Sequence, residues 1–345
     1  MSDLTGSIRD RLIEGILSGE YPPGSRLIAE RELAETFSVS RITVRRAFAQ
    51  LENAGIIVRK RPSGTYVADT FQAHCGELKS IGLITTLPHE FSGSFVEAVS
   101  DCCEKEDILL ALGIPRPDTA AAQLRIAERM ASRGVKNLIV WGAEKHSNMQ
   151  FFERLRILGV NLVFFDQVIP GDYADYVGLD NFHAVAAIID AAVRHGKKHL
   201  IFVNYSGSQI DSNAERHQAF EKRVAEYPGI TGEVRSLPLH ADAAARKQFS
   251  TALQRELDEN CAVIGTNAPV IQELFHEELR KNTVFCVDHL PKLQELNVTG
   301  YAQPIAEMAA CAVQMLKNQC RKGKKWQCIH RRFRGKLIEP QIVTE

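Results

Sequence analysis

The chain carries two hydrophobic rhythms, one after the other. Leu4, Ile8, Leu12 and Ile16 fall four apart, which predicts an amphipathic helix over residues 3–18 that Gly19 ends. Leu33, Ala34 and Phe37 mark one face of a short second helix. Phe37-Ser38-Val39-Ser40 reads as a tight turn ending in a good N-cap, Ser40. Val44, Ala47, Phe48 and Leu51 then sit at i, i+3, i+4 and i+7, so a third helix buries one stripe against the second. Its open side holds Ile42, Arg45, Arg46 and Ala49, with Arg41 in the first turn. Two helices joined by a short turn, with arginines near the start of the second, fit a B-DNA major groove. Residues 55–67 alternate as two strands around Pro62-Ser63-Gly64, a hairpin wing whose glycine is free to take a positive φ.

Residues 69–80 show no period and read as a linker. From Ile81 the rhythm changes to short apolar runs separated by longer helical stretches. Strands are predicted at 81–85, 108–112, 138–141, 160–166, 200–204, 233–239, 261–264, 284–288 and 298–302. Helices are predicted near 94–105, 119–132, 148–158, 182–195, 213–226, 242–258, 268–280 and 304–319. Near-continuous apolar strands between helices argue for parallel sheets covered on both faces. There are too many strands for one compact sheet, so two doubly wound lobes are expected. The fold class is α/β, with a winged helix-turn-helix ahead of two doubly wound lobes.

Composition sharpens this only locally. The 345 residues carry 42 Lys+Arg against 42 Asp+Glu, so net charge gives no hint of nucleic acid. Between Arg41 and Arg61, however, lie Arg41, Arg45, Arg46, Arg59, Lys60 and Arg61 against the single acid Glu52, a local balance of +5. Charge gathered on one small face is what phosphate contact requires. No apolar run approaches the ~20 residues of a membrane span, and the first helix is charged rather than a signal peptide, so a cytoplasmic location without membrane contact is expected. The eight cysteines show no CxxC spacing and read as reduced thiols packed as small apolar residues.

Several spaced motifs in the head agree in order with a known family. Gly19-x-Tyr21-x-Pro23-Gly24-x-x-Leu27, Glu30-Arg31-Glu32-Leu33-Ala34, Val39-Ser40-Arg41-x-Thr43-Val44-Arg45-x-Ala47 and Gly64-Thr65-Tyr66-Val67 resemble the winged helix-turn-helix of GntR-type transcription regulators. One departure is Ile28-Ala29 where the family usually has Pro-Ser. The missing cap hydroxyl weakens the start of that helix by about 1 kcal/mol. The resemblance implies that Arg31, Arg41 and Arg45 reach DNA and that Thr43 contacts a phosphate. A guanidinium meets guanine O6 and N7 bidentately. Arg46, Arg59, Lys60 and Arg61 are expected on phosphates, and Gly64 lets the wing approach the minor groove. The plainer alternative for each arginine is a solvated helix face.

The remainder, about residues 80–345, resembles the LacI/periplasmic-binding-protein sensor. The carrying segments include 133–142, 159–166, 177–181, 196–203, Glu215-Arg216-His217-Gln218-Ala219-Phe220 and Gln303-Pro304. A GntR head on this sensor is similar to the arabinose-repressor branch. The resemblance implies a DNA-binding domain at 1–69, a linker at 70–80 and an effector-binding domain at 81–345. Lobe 1 would hold about 81–178 and 304–327, and lobe 2 about 179–303 and 328–345. It further implies an effector in the interlobe cleft, beyond the carboxyl ends of strands. Asp166, Arg216, Asn267, Asp288 and Gln303 match effector-contacting positions, with Phe95, Tyr205 and His289 as stacking walls. Carboxylate, guanidinium and amide groups together suit the hydroxyls of a sugar. The alternatives are core packing for Phe95, a surface ion pair for Arg216 and a plain loop position for Asn267, since Ala268 replaces the family's usual acid.

His195 and His199 have i,i+4 spacing, but Gly196 breaks the helix between them and no acidic ligand is near, so no metal is expected. No P-loop, GxSxG or HExxH occurs, and no glycine-rich turn follows the strand at 81–85, so neither an enzyme nor a cofactor is expected. Residues 321–336 hold eight basic residues and no acid, a possible second nucleic-acid patch or simply a helix end and final strand. The sequence thus implies a repressor of carbohydrate-utilisation genes. It would bind a palindromic operator on double-stranded DNA as a homodimer, with recognition helices roughly 34 Å apart, and respond to a small sugar. The alternative is a regulator of the same architecture that senses a purine, an amino acid or nothing.

Overall fold

The computed structural model describes residues 4–69, 76–85, 90–117, 119–142, 149–167, 172–207, 210–277, 279–280 and 282–340. Most of the expected linker, residues 70–75, lies outside this set. The head comprises α1 (Leu4–Ser18), α2 (Glu30–Thr36), α3 (Arg41–Asn53), β1 (Ile57–Lys60) and β2 (Gly64–Val67). Ser40 caps α3, its hydroxyl accepting from the Thr43 N–H at 3.2 Å. Ala29 precedes α2 with no side-chain cap, as its chemistry requires. Val44, Ala47, Phe48 and Leu51 are all buried. β1 and β2 pair antiparallel, with Arg59 opposite Thr65 and Lys60 opposite Gly64.

The sensor continues with β3 (Ser80–Ile84), α4 (Glu90–Lys105), β4 (Leu109–Gly113), α5 (Ala120–Ser132), β5 (Asn137–Trp141), α6 (Met149–Ile157), β6 (Asn161–Phe165), β7 (Asp175–Leu179) and α7 (Asn181–Arg194). Next come β8 (His199–Ser206), α8 (Asp211–Ala225), β9 (Thr231–Pro238), α9 (Ala243–Glu256), β10 (Cys261–Gly265) and α10 (Ala268–Leu274). The chain ends with β11 (Val284–Cys286), α11 (Pro291–Glu295), β12 (Thr299–Ala302), α12 (Ile305–Lys322), β13 (His330–Phe333) and β14 (Lys336–Ile338). One sheet runs β13-β7-β6-β5-β3-β4 and the other β14-β12-β11-β10-β8-β9. β3–β4, β3–β5, β5–β6, β8–β9, β8–β10, β10–β11 and β11–β12 are parallel, while β12–β14 is antiparallel. Every residue of β5, β6 and β10 is buried, because helices cover both faces of a parallel sheet.

The chain divides into two compact units: Met1–Pro88, Phe95–Tyr176 and Ala309–His330 in the first, and His89–Ser94, Val177–Met308 and Arg331–Glu345 in the second. Within the first unit the head packs on the sensor helix α6. The Arg154 guanidinium donates from Nε to the Leu17 carbonyl at 2.8 Å, satisfying one of the carbonyls that the end of α1 leaves open. Leu17, Phe151, Phe152 and Leu155 belong to one continuous apolar cluster with Val44 and Phe48. Buried Arg156 donates to Gln319 of α12 at 2.8 Å and to the Val160 carbonyl at 3.0 Å, with the Trp326 ring 4.4 Å away.

Two expectations change. The helix begun at Ala268 stops at Leu274 instead of running to 280, because Phe275 takes extended backbone and buries its ring in the second-unit core. β7 was not expected as a strand, and the tail forms two strands, β13 and β14, where a single final strand was the alternative to a second nucleic-acid patch. His330-Arg331-Arg332-Phe333 is charged and largely exposed, so no apolar alternation announces it.

Candidate functional site

The arginines of α3 stand where the helical phase puts them. Arg41, Arg45 and Arg46 are exposed beside Ile42, which is 64% exposed. Thr43 is half-buried, with its hydroxyl 2.9 Å from that of Ser40. Arg31 lies on α2 and pairs weakly with Glu35 at 3.6 Å, both side chains exposed. The wing places Lys60 over the Tyr66 ring at 5.1 Å and leaves Arg61 exposed. Gly64 has φ +124°, a backbone conformation that favours glycine, and its Cα face lies against the Arg26 guanidinium.

Glu30 organises this surface. One of its oxygens lies 3.1 Å from Arg45 Nε and the other 3.5 Å from Arg59 Nη2. Arg59 is also 3.2 Å from Glu52 and is only 30% exposed, so it sits between two carboxylates. Glu30 therefore joins α3 to the wing through Arg45 and Arg59. Sequence reasoning quoted Glu30 only as part of a motif, since pairing across fifteen residues leaves no periodic trace.

The second unit gathers four of the expected ligand residues at the carboxyl ends of its strands. Arg216 on α8, 4% exposed, donates from Nη1 to the Thr266 carbonyl at 2.7 Å and from Nε to Asn181 Oδ1 at 2.8 Å. Asn267 follows Thr266 and caps α10, accepting from the Val270 N–H at 3.2 Å. The Ala268 N–H donates to Asp288 Oδ2 at 2.6 Å, and the Gln303 amide donates to Oδ1 at 2.8 Å. Burial pushes the Asp288 carboxyl up. The Arg216 charge and these two hydrogen bonds oppose that shift without cancelling it, so the group stays above the usual carboxylate range.

Tyr205 packs its ring beside the cluster containing Ile201 and Leu253, and burial together with the nearby Glu273 carboxylate pushes its hydroxyl pKa up. His289 bonds Gln294 at 2.6 Å, and burial lowers its pKa.

In the first unit, Asp166 directly follows β6 with φ +61°. Phe95 is wholly buried, stacked on Phe165 with centroids 3.7 Å apart and edge-on to Trp141 at 6.0 Å. Beside them are two residues that sequence reasoning passed over, Thr85 and Gln167, at 2% and 1% exposure. Among the described residues neither the Thr85 hydroxyl nor either amide atom of Gln167 has a protein hydrogen-bond partner. A Cβ at Gly142 would lie 2.1 Å from Gln167 Oε1, so glycine at 142 makes room for that amide. The available signal was Gln167's place directly after Asp166. Among the described residues no cluster of three metal-ligating side chains occurs, and no helix is long and apolar enough to cross a membrane.

Comparison with known proteins matches residues 4–67 to the bacterial regulatory proteins of the gntR family and residues 83–325 to the periplasmic binding protein domain. The chain belongs to the periplasmic-binding-protein domain family and carries a GntR-type head. It is similar to the arabinose metabolism transcriptional repressor of Geobacillus stearothermophilus, 23% identical over 197 residues, 56% of this chain and 54% of that protein. The chain thus spans about half the length of that relative. The head alone is 43% identical over 61 residues to the HTH-type transcriptional repressor NagR of Bacillus subtilis, 18% of this chain and 25% of that protein. The sensor shares its fold with an ABC transporter solute-binding protein from Burkholderia graminis in complex with D-arabinose. The TM-score is 0.64 at 18% identity, over 76% of this chain and 96% of that one.

Proposed function

We propose that this protein is a sequence-specific DNA-binding transcription regulator, a repressor of carbohydrate-utilisation genes that a small sugar releases or modulates. The observation that carries the reading is one chain holding both an exposed arginine helix, α3, and the buried Arg216–Asp288–Gln303 set at strand ends. In this reading Arg41 and Arg45 read base edges. Arg46, Lys60 and Arg61 hold phosphates with help from Thr43, Arg31 and Arg59 flank them, and the Gly64 tip enters a groove. Arg216, Asn267, Asp288 and Gln303 bond sugar hydroxyls. Buried polar groups of this kind reject a ligand that leaves them unpaired. The relatives similar to this head are transcriptional regulators by name, several of them repressors, which favours regulation over catalysis. The division into residues 1–69, 70–80 and 81–345, a cytoplasmic location and a homodimer on a palindromic operator belong to the same proposal.

The test is fluorescence anisotropy of the full chain on genomic fragments, with and without D-arabinose, D-ribose, D-galactose and D-glucose. The expected result is specific binding at about 10⁻⁸ M or tighter, shifted by one sugar. Binding to every fragment with equal affinity, unmoved by any sugar, overturns the reading.

A further inference from the structure

Arg216 is held from behind by a relay that ends on the last segment of the chain. Its Nε donates to Asn181 Oδ1 at 2.8 Å, and the Asn181 amide donates from Nδ2 to Glu215 Oε2 at 2.7 Å. Glu215 in turn receives both arms of Arg332, Nη1 on Oε2 at 2.8 Å and Nη2 on Oε1 at 2.7 Å. Arg332 lies on β13, two residues after the chain passes from His330 in the first unit to Arg331 in the second. Asn181 opens α7, five residues after the earlier passage from Tyr176 to Val177. Both passages are thereby tied to one side chain. A second stitch runs beside the first: Arg334 Nε bonds Asp180 at 3.0 Å, and Asp180 caps α7.

The chemistry of the relay has a direction. An amide can present either oxygen or nitrogen to a neighbour, and the two ends are nearly equal in size. Glu215, an acceptor only, fixes the nitrogen of Asn181 toward itself, so the oxygen faces Arg216. Reversed, the amide would set N–H against N–H. Burial pushes the Glu215 carboxyl up, but hydrogen bonds from Arg332 and Asn181 and the charges of Arg332 and Arg216 outweigh it, so the group stays ionised. Nε and Nη1 of Arg216 are thus committed to Asn181 and Thr266, and among the described residues no protein acceptor is found for Nη2, which remains as the donor for a ligand.

We propose that Glu215 and Arg332 are positioning residues. Through Asn181 they set the orientation of Arg216 and link ligand contact to the segments that pass between the two units. The proposal rests on Arg216 as a sugar contact. One of its two readouts needs no sugar, so failure of the relay and failure of the sugar reading are separable.

That readout is the Nε–H resonance of Arg216 in a ¹⁵N spectrum, identified by its loss in Arg216→Lys, together with its exchange rate with water. The second is calorimetric affinity for the tightest binder among D-arabinose, D-ribose, D-galactose and D-glucose. Arg332→Met is expected to shift the resonance, speed its exchange and weaken sugar binding about tenfold. Arg332→Lys restores a single-point pair and falls between Met and wild type. Glu215→Gln, able to present either end of its amide, moves the resonance in the same direction as Arg332→Met.

The control is Arg223→Met. It breaks the Arg223–Asp190 pair, 2.8 Å, between the same helices α7 and α8 but off the relay, and should leave both readouts in place. The proposal is overturned if Arg332→Met leaves the resonance where it was, or if Arg223→Met moves resonance and affinity as far as Arg332→Met does.

Discussion

Replacing Arg45 with alanine isolates direct base reading from everything else the head does. The Arg45 side chain is 62% exposed, packs in no core and pairs with Glu30 at 3.1 Å. An exposed pair of this kind contributes about 0–1 kcal/mol, and alanine is the better helix former, so stability should change by no more than about 0.5 kcal/mol. The same weakness lets Glu30 release the guanidinium to DNA at little cost. On DNA, one bidentate guanine contact discriminates by about 1–3 kcal/mol, or about 5- to 150-fold per head. In the proposed homodimer, two heads on one operator would double the free energy to about 2–6 kcal/mol.

The assay is anisotropy on operator and on scrambled duplex at two salt concentrations, with a thermal melt of each variant. Arg45→Ala should lose operator affinity and keep most affinity for scrambled DNA. Arg46→Ala should weaken both alike and reduce the salt slope by about 1 per head. Equal loss on both duplexes for Arg45→Ala would make it a phosphate contact and refute the assignment. A melt collapsing by more than a few degrees would refute the packing argument instead.

Four further outcomes follow from particular contacts. Glu30→Gln frees Arg45, leaves Arg59 paired with Glu52 alone, and should tighten binding to both duplexes, most at low salt, in the same anisotropy assay. Asp288→Asn removes a carboxyl whose ionised form burial disfavours, so its thermal midpoint should hold or rise while calorimetry shows sugar binding lost. Hydrogen bonds and ion pairs hold Glu215 and Asp180 below their ordinary values despite burial. The stability they contribute is present above the unfolded values near 4.5 and 3.8 and is lost as pH falls through the folded ones. Glu215→Gln should therefore flatten the melting curve against pH below about 4.5. Burial pushes the Cys103 and Cys261 thiols up to about 11, so mass spectrometry after iodoacetamide at pH 7.5 should find both unmodified in the native chain and both alkylated in urea.

The sequence by itself determined the parts of this protein that neighbours along the chain decide. The phase of Val44, Ala47, Phe48 and Leu51 set which side of α3 is core and left its arginines outside. Ser40 set where that helix starts, and the apolar runs at 138–141, 160–166 and 261–264 set the buried parallel strands. These follow from the 3.6- and 2-residue periods of backbone geometry, which act over a few residues.

The tertiary structure decided what depends on residues far apart. It joined Arg45 to Arg59 through Glu30 and ran Arg332 back to Arg216 over more than a hundred positions. It also sank Gln167 next to Gly142, and it made a strand of the charged residues 330–333, which show no apolar alternation. A hydrogen bond or ion pair is satisfied by whichever group arrives within about 3 Å. No period in the chain encodes that arrival, so it exists only once the sheets and helices have closed.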